Sequence, residues 1–292
     1  PTTVNDNVLK TEHEIRVTGL NPDTKYYYRI GTDTSVTQGD TSNFFVTAPP
    51  DTSTRLITIA AFGDCGRNDN NYQTGALSAY QNYITGKGRK AADLMMIVGD
   101  NAYDAGLDAE FTTNFFSRYS GNILKNHMLF PAPGNHDYAN DATRQVDHNV
   151  PYYSLFTTPT AAECGGLASG NKAYYSYDWG NVHILSLDSY GEENAGTTRL
   201  YDTLGAQVQW IKNDLALNTK KWVIAYFHHP PYTMGSHTSD GEAERVNIRQ
   251  NFIRILERYG ADRVICGHSH DYERSYLLKG HYGSEATFNK AA

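Results

Sequence analysis

Five short blocks carry residues suited to binding metal ions. They are Gly63-Asp64-Cys65-Gly66, Gly99-Asp100-Asn101-Ala102-Tyr103, Gly134-Asn135-His136-Asp137, His228-His229-Pro230-Pro231-Tyr232 and Gly267-His268-Ser269-His270. Carboxylates and a phenolate are hard oxygen donors that suit a highly charged cation, whereas imidazoles suit zinc, iron, manganese or nickel. A set that mixes both predicts two inequivalent metals. A carboxylate has two oxygens and can bridge a pair of ions about 3.5–4 Å apart, the arrangement used for in-line displacement at phosphorus. Asp100 is the expected bridge. Taken singly, Asp or Asn beside Gly is ordinary turn chemistry and a lone histidine is more often structural; together the blocks make one site the better reading.

Distant segments meet only if the fold brings them together. Each block follows an apolar run that reads as a strand, at 56–62, 94–98, 128–132, 222–227 and 263–266. Helical three- and four-residue spacing recurs over 204–217 and 243–259. Strands alternating with helices predict an α/β layer fold. In open α/β sheets the ligand site lies beyond the carboxyl ends of the strands, where these blocks stand. Glycine beside each ligand lets the chain turn sharply out of the strand. Segments 173–177 and 182–187 flank Asp178-Trp179-Gly180-Asn181 and read as a hairpin.

Before Ala48-Pro49-Pro50-Asp51 the rhythm differs. Alternation and turn signals predict strands at 14–18, 25–30 and 43–47, and the prolines mark a boundary between a domain over 1–50 and a second over 51–292. The run Thr-Gly-Leu-Asn-Pro-Asp-Thr-Lys-Tyr-Tyr-Tyr is similar to the corner of a fibronectin type III-like sandwich, with fewer strands than a whole one needs.

Composition narrows the classes further. The 292 residues are 39% hydrophobic and 20% charged, with a net charge of −7, so neither nucleic acid nor an anionic membrane finds a general attraction. No apolar run nears the roughly 20 residues that span a bilayer. Cys65, Cys164 and Cys266 match neither a zinc knuckle nor a disulfide framework, and most are expected to be buried thiols.

The ordered blocks from Asp64 to His270 resemble the calcineurin-like metallophosphoesterases, and the tyrosine of Gly-Asp-Asn-Ala-Tyr resembles the purple acid phosphatase family within them. Gly267-His268-Ser269-His270-Asp271-Tyr272-Glu273-Arg274 extends the likeness. The resemblance implies a four-layer α/β/β/α sandwich. It implies an Fe(III) held by Asp64, Asp100, Tyr103 and His270, and a divalent iron, zinc or manganese held by Asp100, Asn135, His228 and His268. His228 takes the ligand position of His-x-Pro-x-Tyr, with His229 the intervening residue. His136 and His237 are implied as the histidines that meet phosphate or the leaving group. Asp137, Tyr138, Asp271 and Arg274 are candidates to orient ligands, while His127, His148, His183 and His281 read as structural or exposed.

The implied activity is hydrolysis of a small phosphate monoester by a metal-bound hydroxide, in a secreted or periplasmic protein. Two rivals remain: a phosphodiesterase or nucleotidase, with substrate choice in loops 140–150 and 191–199, and a non-catalytic binding or adhesion module.

Overall fold

A computed structural model describes residues 2–67, 72–88, 91–193 and 199–290. Much of loop 191–199 therefore lies outside the described residues. Two sheets organise the chain after residue 50. The first is parallel, in the order β5 (Ile59–Phe62), β6 (Leu94–Val98), β7 (Leu129–Ala132). The second runs β11 (Arg263–Ile265), β10 (Trp222–Tyr226), β9 (Val182–Ser186), β8 (Tyr175–Trp179). In it β9, β10 and β11 are parallel, and β8 joins β9 antiparallel through the two-residue turn Gly180-Asn181.

Side-chain alternation turns these sheets into layers. Along β6, Leu94, Met96 and Val98 face inward to Phe130, Tyr175, Tyr177, Trp179, Val182, Ile184 and Tyr226, forming the core between the sheets. The alternate residues Met95 and Ile97 face outward to Phe111, Phe115, Tyr119, Tyr138 and Tyr152. A strand buried on both faces must be apolar throughout, which is why β6 reads as an unbroken hydrophobic run. Across the sandwich, Leu185, Val223, Ala225 and Phe227 pack outward against Val208, Ile211 and Leu215 of helix Ala206–Leu217 and against Ile248, Phe252 and Leu256. The order is helices, sheet, sheet, helices. Each fully buried Leu, Val or Phe contributes about 1.5–3 kcal/mol.

The predicted helix over 243–259 is present but passes from Ala243–Asn247 through a π-helical segment, Ile248–Phe252, to Ile253–Arg258. Helix Tyr72–Gly86 and a second π-helical segment, Phe111–Phe116, carry no signal that the sequence reading used.

The early strands need correction. Residues 14–18 form no strand, and Ile15 and Val17 remain exposed, because alternation without a pairing partner leaves the backbone to water. The stretch 25–30 breaks into β1 (Lys25–Tyr27) and β2 (Ile30–Gly31); β1 pairs with β4 (Phe44–Val46) and β2 with β3 (Val36–Gln38). Two separate two-stranded ribbons are not a sandwich. They are tied to the layered part by Tyr28 Oη donating to the Lys125 carbonyl at 3.0 Å and by Arg55, which bridges Asp23 and buried Asp93 at 3.0 and 2.9 Å. Cys65 is buried, Cys266 half-buried and Cys164 exposed, so the expectation of mostly buried thiols fails at Cys164. Among the described residues no helix is long and apolar enough to cross a membrane.

Candidate metal centre

All five blocks leave their strands at the same end of the sandwich, along the seam between the sheets. The oxygen donors come from the first sheet: Asp64 after β5, Asp100 and Tyr103 after β6, Asn135 after β7. The imidazoles come from the second: His228 after β10, His268 and His270 after β11. Tyr103 Oη lies 2.7 Å from Asp64 Oδ1, 2.7 Å from Asp100 Oδ2 and 3.1 Å from His270 Nε2. His228 Nε2 is 3.1 Å from Asp100 Oδ2 and 3.0 Å from His268 Nδ1. Asp100, buried, is common to both groups, the position a bridging carboxylate needs.

The backbone is bent to present these donors. Asp64, Asp100, His268 and His270 take left-handed φ values of 55°, 53°, 71° and 55°. Such values cost a side-chain-bearing residue roughly 1–2 kcal/mol and gather at functional sites. The neighbouring glycines do more than turn. A Cβ on Gly99 would lie 2.4 Å from His228 Nδ1, and one on Gly134 2.2 Å from Asp100 Oδ1. At Gly134, close approach rather than an unusual φ demands glycine.

Charge and hydrogen bonding point the same way. One tyrosine proton stands between two carboxylates; burial and those two carboxylates push the Tyr103 hydroxyl far above its usual range. Burial opposes charge on Asp100, but His228 beside it holds the carboxyl well below the usual range, and the same contact raises His228 to about 9. His228 Nδ1 donates to the Val98 carbonyl at 2.9 Å, fixing the tautomer that turns Nε2 toward Asp100. Asn135 supplies a further test of fit. Its Nδ2 donates to Asn140 Oδ1 at 2.6 Å, while its buried Oδ1 has no partner among the described residues. A buried acceptor left open beside such a cluster suits a cation.

The two flanking histidines border the cluster. The His136 N–H donates to Asp100 Oδ1 at 2.9 Å, its ring lies 4.1 Å from that of Tyr103, and its Nδ1 donates to the Asp104 carbonyl at 2.6 Å. His237 stacks on His268 with ring centroids 4.0 Å apart. His229 stands closer than an intervening residue would suggest. It is buried, offers a nitrogen within 4.8 Å of those of His228 and His268, and has its Nδ1 at 2.9 Å from Ser189 Oγ.

Of the outer candidates, Asp137 accepts from the Asn101 N–H at 3.1 Å and the Gly134 N–H at 2.8 Å, tying together the loops after β6 and β7. It orients backbone, not an imidazole. Tyr138 donates to Asp188 at 2.6 Å, away from the centre, and Asp271 and Arg274 are exposed. The sequence reading missed Arg67, whose Nη1 lies 3.1 Å from His270 Nδ1; a lone arginine after a glycine carries no signal.

Residues 57–272 match the family model described as Calcineurin-like phosphoesterase, a span that contains every donor above. Among curated proteins, the chain is 26% identical to purple acid phosphatase 15 of Arabidopsis thaliana, over 90% of this chain and 49% of that one. It is 28% identical to phosphoenolpyruvate phosphatase of Allium cepa, over 91% and 51% respectively. The chain thus spans about half the length of these relatives. A purple acid phosphatase from yellow lupin seeds shares the fold with a TM-score of 0.63 at 18% identity, over 85% of this chain and 44% of that one. The seam-lined cluster and the match over 57–272 together place the chain in the calcineurin-like phosphoesterase family, among relatives named purple acid phosphatases.

Proposed function

We propose that the protein is an acid phosphatase that hydrolyses small phosphate monoesters at a two-metal centre held by Asp64, Asp100, Tyr103, Asn135, His228, His268 and His270. The observation that carries this reading is the shared Asp100 carboxylate, whose Oδ2 meets both Tyr103 and His228. When bound, an Fe(III) and a divalent iron, zinc or manganese supply charge neutralisation on phosphate and a hydroxide formed from water whose pKa falls from about 15.7 toward 7.

The chain's own residues complete the reaction. A carbonyl can only accept, so His136 keeps its proton on Nδ1 against Asp104 and offers Nε2 to the ester; protonated there, it donates to the departing oxygen. The Glu242 carboxylate likewise holds a proton on His237 Nδ1, and Nε2, when it also carries one, donates to phosphate oxygens. Secretion belongs to the same reading, through the likeness to the purple acid phosphatases.

Metal analysis with a visible spectrum tests the centre. About two metals per chain and a broad mid-visible band that Tyr103→Phe removes are expected; two metals without colour would retain the hydrolase and remove the tyrosinate–iron pair. Faster hydrolysis of p-nitrophenyl phosphate than of bis(p-nitrophenyl) phosphate separates a monoesterase from a diesterase. Stoichiometric metal with no hydrolysis of either would favour a binding module.

A further inference from the structure

His237 is held by a chain of contacts that runs into the protein interior. Its Nδ1 lies 3.2 and 3.3 Å from the two oxygens of Glu242, the residue that caps helix Ala243–Asn247. Glu242 also accepts from the Thr238 N–H at 3.0 Å and from Arg245 Nη1. Arg245 is only 3% exposed, and its Nε is buried with no partner among the described residues.

A helix-start ion pair kept for stability alone has a different form. Exposed pairs one turn apart contribute little, and a guanidinium gains that much while staying in water. Here the guanidinium is buried with an open Nε, an arrangement that is costly unless pairing offsets it. Its carboxylate partner also grips both the ring and the following backbone N–H of the loop that carries His237. That grip leaves the ring lying on His268 at 27° to it.

We propose that Arg245 is a positioning residue: by fixing Glu242 it holds the His237 ring against His268, so that Nε2 is the nitrogen that meets the oxygens of a phosphate ester. This rests on the proposed function above. Its contact with the site runs through Glu242 to His237; the guanidinium charge also acts on His229 and His268, a route that Arg245→Lys leaves in place while removing the fork that grips Glu242.

The full chain loaded with iron and zinc, with p-nitrophenyl phosphate as substrate, provides the kinetic test. His237→Ala is expected to lower kcat/KM by about 100- to 1,000-fold. Arg245→Ala should lose most of that factor at unchanged metal content, and Arg245→Lys should recover part of it, since lysine keeps the charge but not the planar fork. The double variant H237A/R245A should be no slower than H237A alone. Losses that multiply in the double variant, or an Arg245→Ala protein as fast as the parent, would overturn the proposal.

A second readout does not depend on turnover. In 1H–15N spectra of the histidine side chains, Arg245→Ala should move the His237 resonances and leave those of His183 in place; unmoved His237 resonances would also overturn the proposal. If the parent hydrolyses no ester, the proposed function falls while these spectra still decide the positioning. If Arg245→Ala does not fold, Glu242→Gln and Arg245→Lys carry both measurements.

Discussion

Two buried histidines, His183 and His228, each face carboxylates, and they differ in what is left over. His183 on β9 has Nδ1 2.8 Å from Asp178 and Nε2 2.7 Å from Asp214. Those carboxylates are occupied in turn: Asp214 accepts from Ser176 Oγ at 2.8 Å and from the Leu167 N–H at 2.7 Å, and Asp178 meets Lys220 at 3.4 Å. Charge and hydrogen bonds close within the protein. Around His228 they do not close, since Tyr103 has one proton for two carboxylates, Asn135 Oδ1 is open and four of the donors sit on left-handed backbone. Unsatisfied acceptors on strained backbone, rather than burial or a His–Asp contact, separate a ligand site from a structural clamp.

The contrast is exposed to direct attack. The greatest effect is expected from Asp100→Asn, which should remove metal from both positions and lower hydrolysis by more than the roughly 10- to 100-fold typical of an outer partner; metal analysis beside steady-state kinetics checks it. Near-normal activity in that variant would erase the distinction. Asp214→Ala should do the reverse. It leaves a charged imidazole facing one carboxylate and should lower stability by about 3–5 kcal/mol in denaturant unfolding, while turnover per folded molecule is unchanged.

A smaller effect follows from pH. Burial lowers the affinity of His183 for a proton, but Asp178 and Asp214 more than offset it and raise the group from 6.5 to about 9. At 1.36 kcal/mol per unit, that gives roughly 3 kcal/mol of stability, fully present below pH 6.5 and lost as pH rises through about 9. Melting curves across this window should show a decline that His183→Gln lacks. Last, chelation of the metals should lower the melting temperature by mass action and speed the slowest hydrogen exchange at β8 and β9, which follows global unfolding; exchange there that does not change would separate the centre from the stability of the sandwich.

The seam was readable because its chemistry and its placement share one code. A ligand after an apolar strand names both the residue and the end of the sheet, so Asp64, Asp100, Asn135, His228 and His268 could be assembled before any coordinates. What escaped has no such code. The π-helical segments Phe111–Phe116 and Ile248–Phe252 are defined by their backbone hydrogen bonding, which no side-chain spacing announces, and the first is built of Phe, Thr and Asn, poor helix formers. The 14–18 stretch alternates like a strand, but pairing depends on a partner and not on its own pattern. His229 and Arg245 matter through distances that spacing does not encode.

The division of donors between the sheets bears on time as well as on chemistry. Oxygen ligands from one sheet and nitrogen ligands from the other, spread from Asp64 to His270, form no site until both sheets have closed on each other. On the proposed function, cation capture is then a late event on the folding route, and an ion held across the seam must be surrendered before the layers can part. Interactions absent from the folding transition state act mainly by slowing unfolding. The metals should therefore set how long a molecule lasts far more than how quickly it forms.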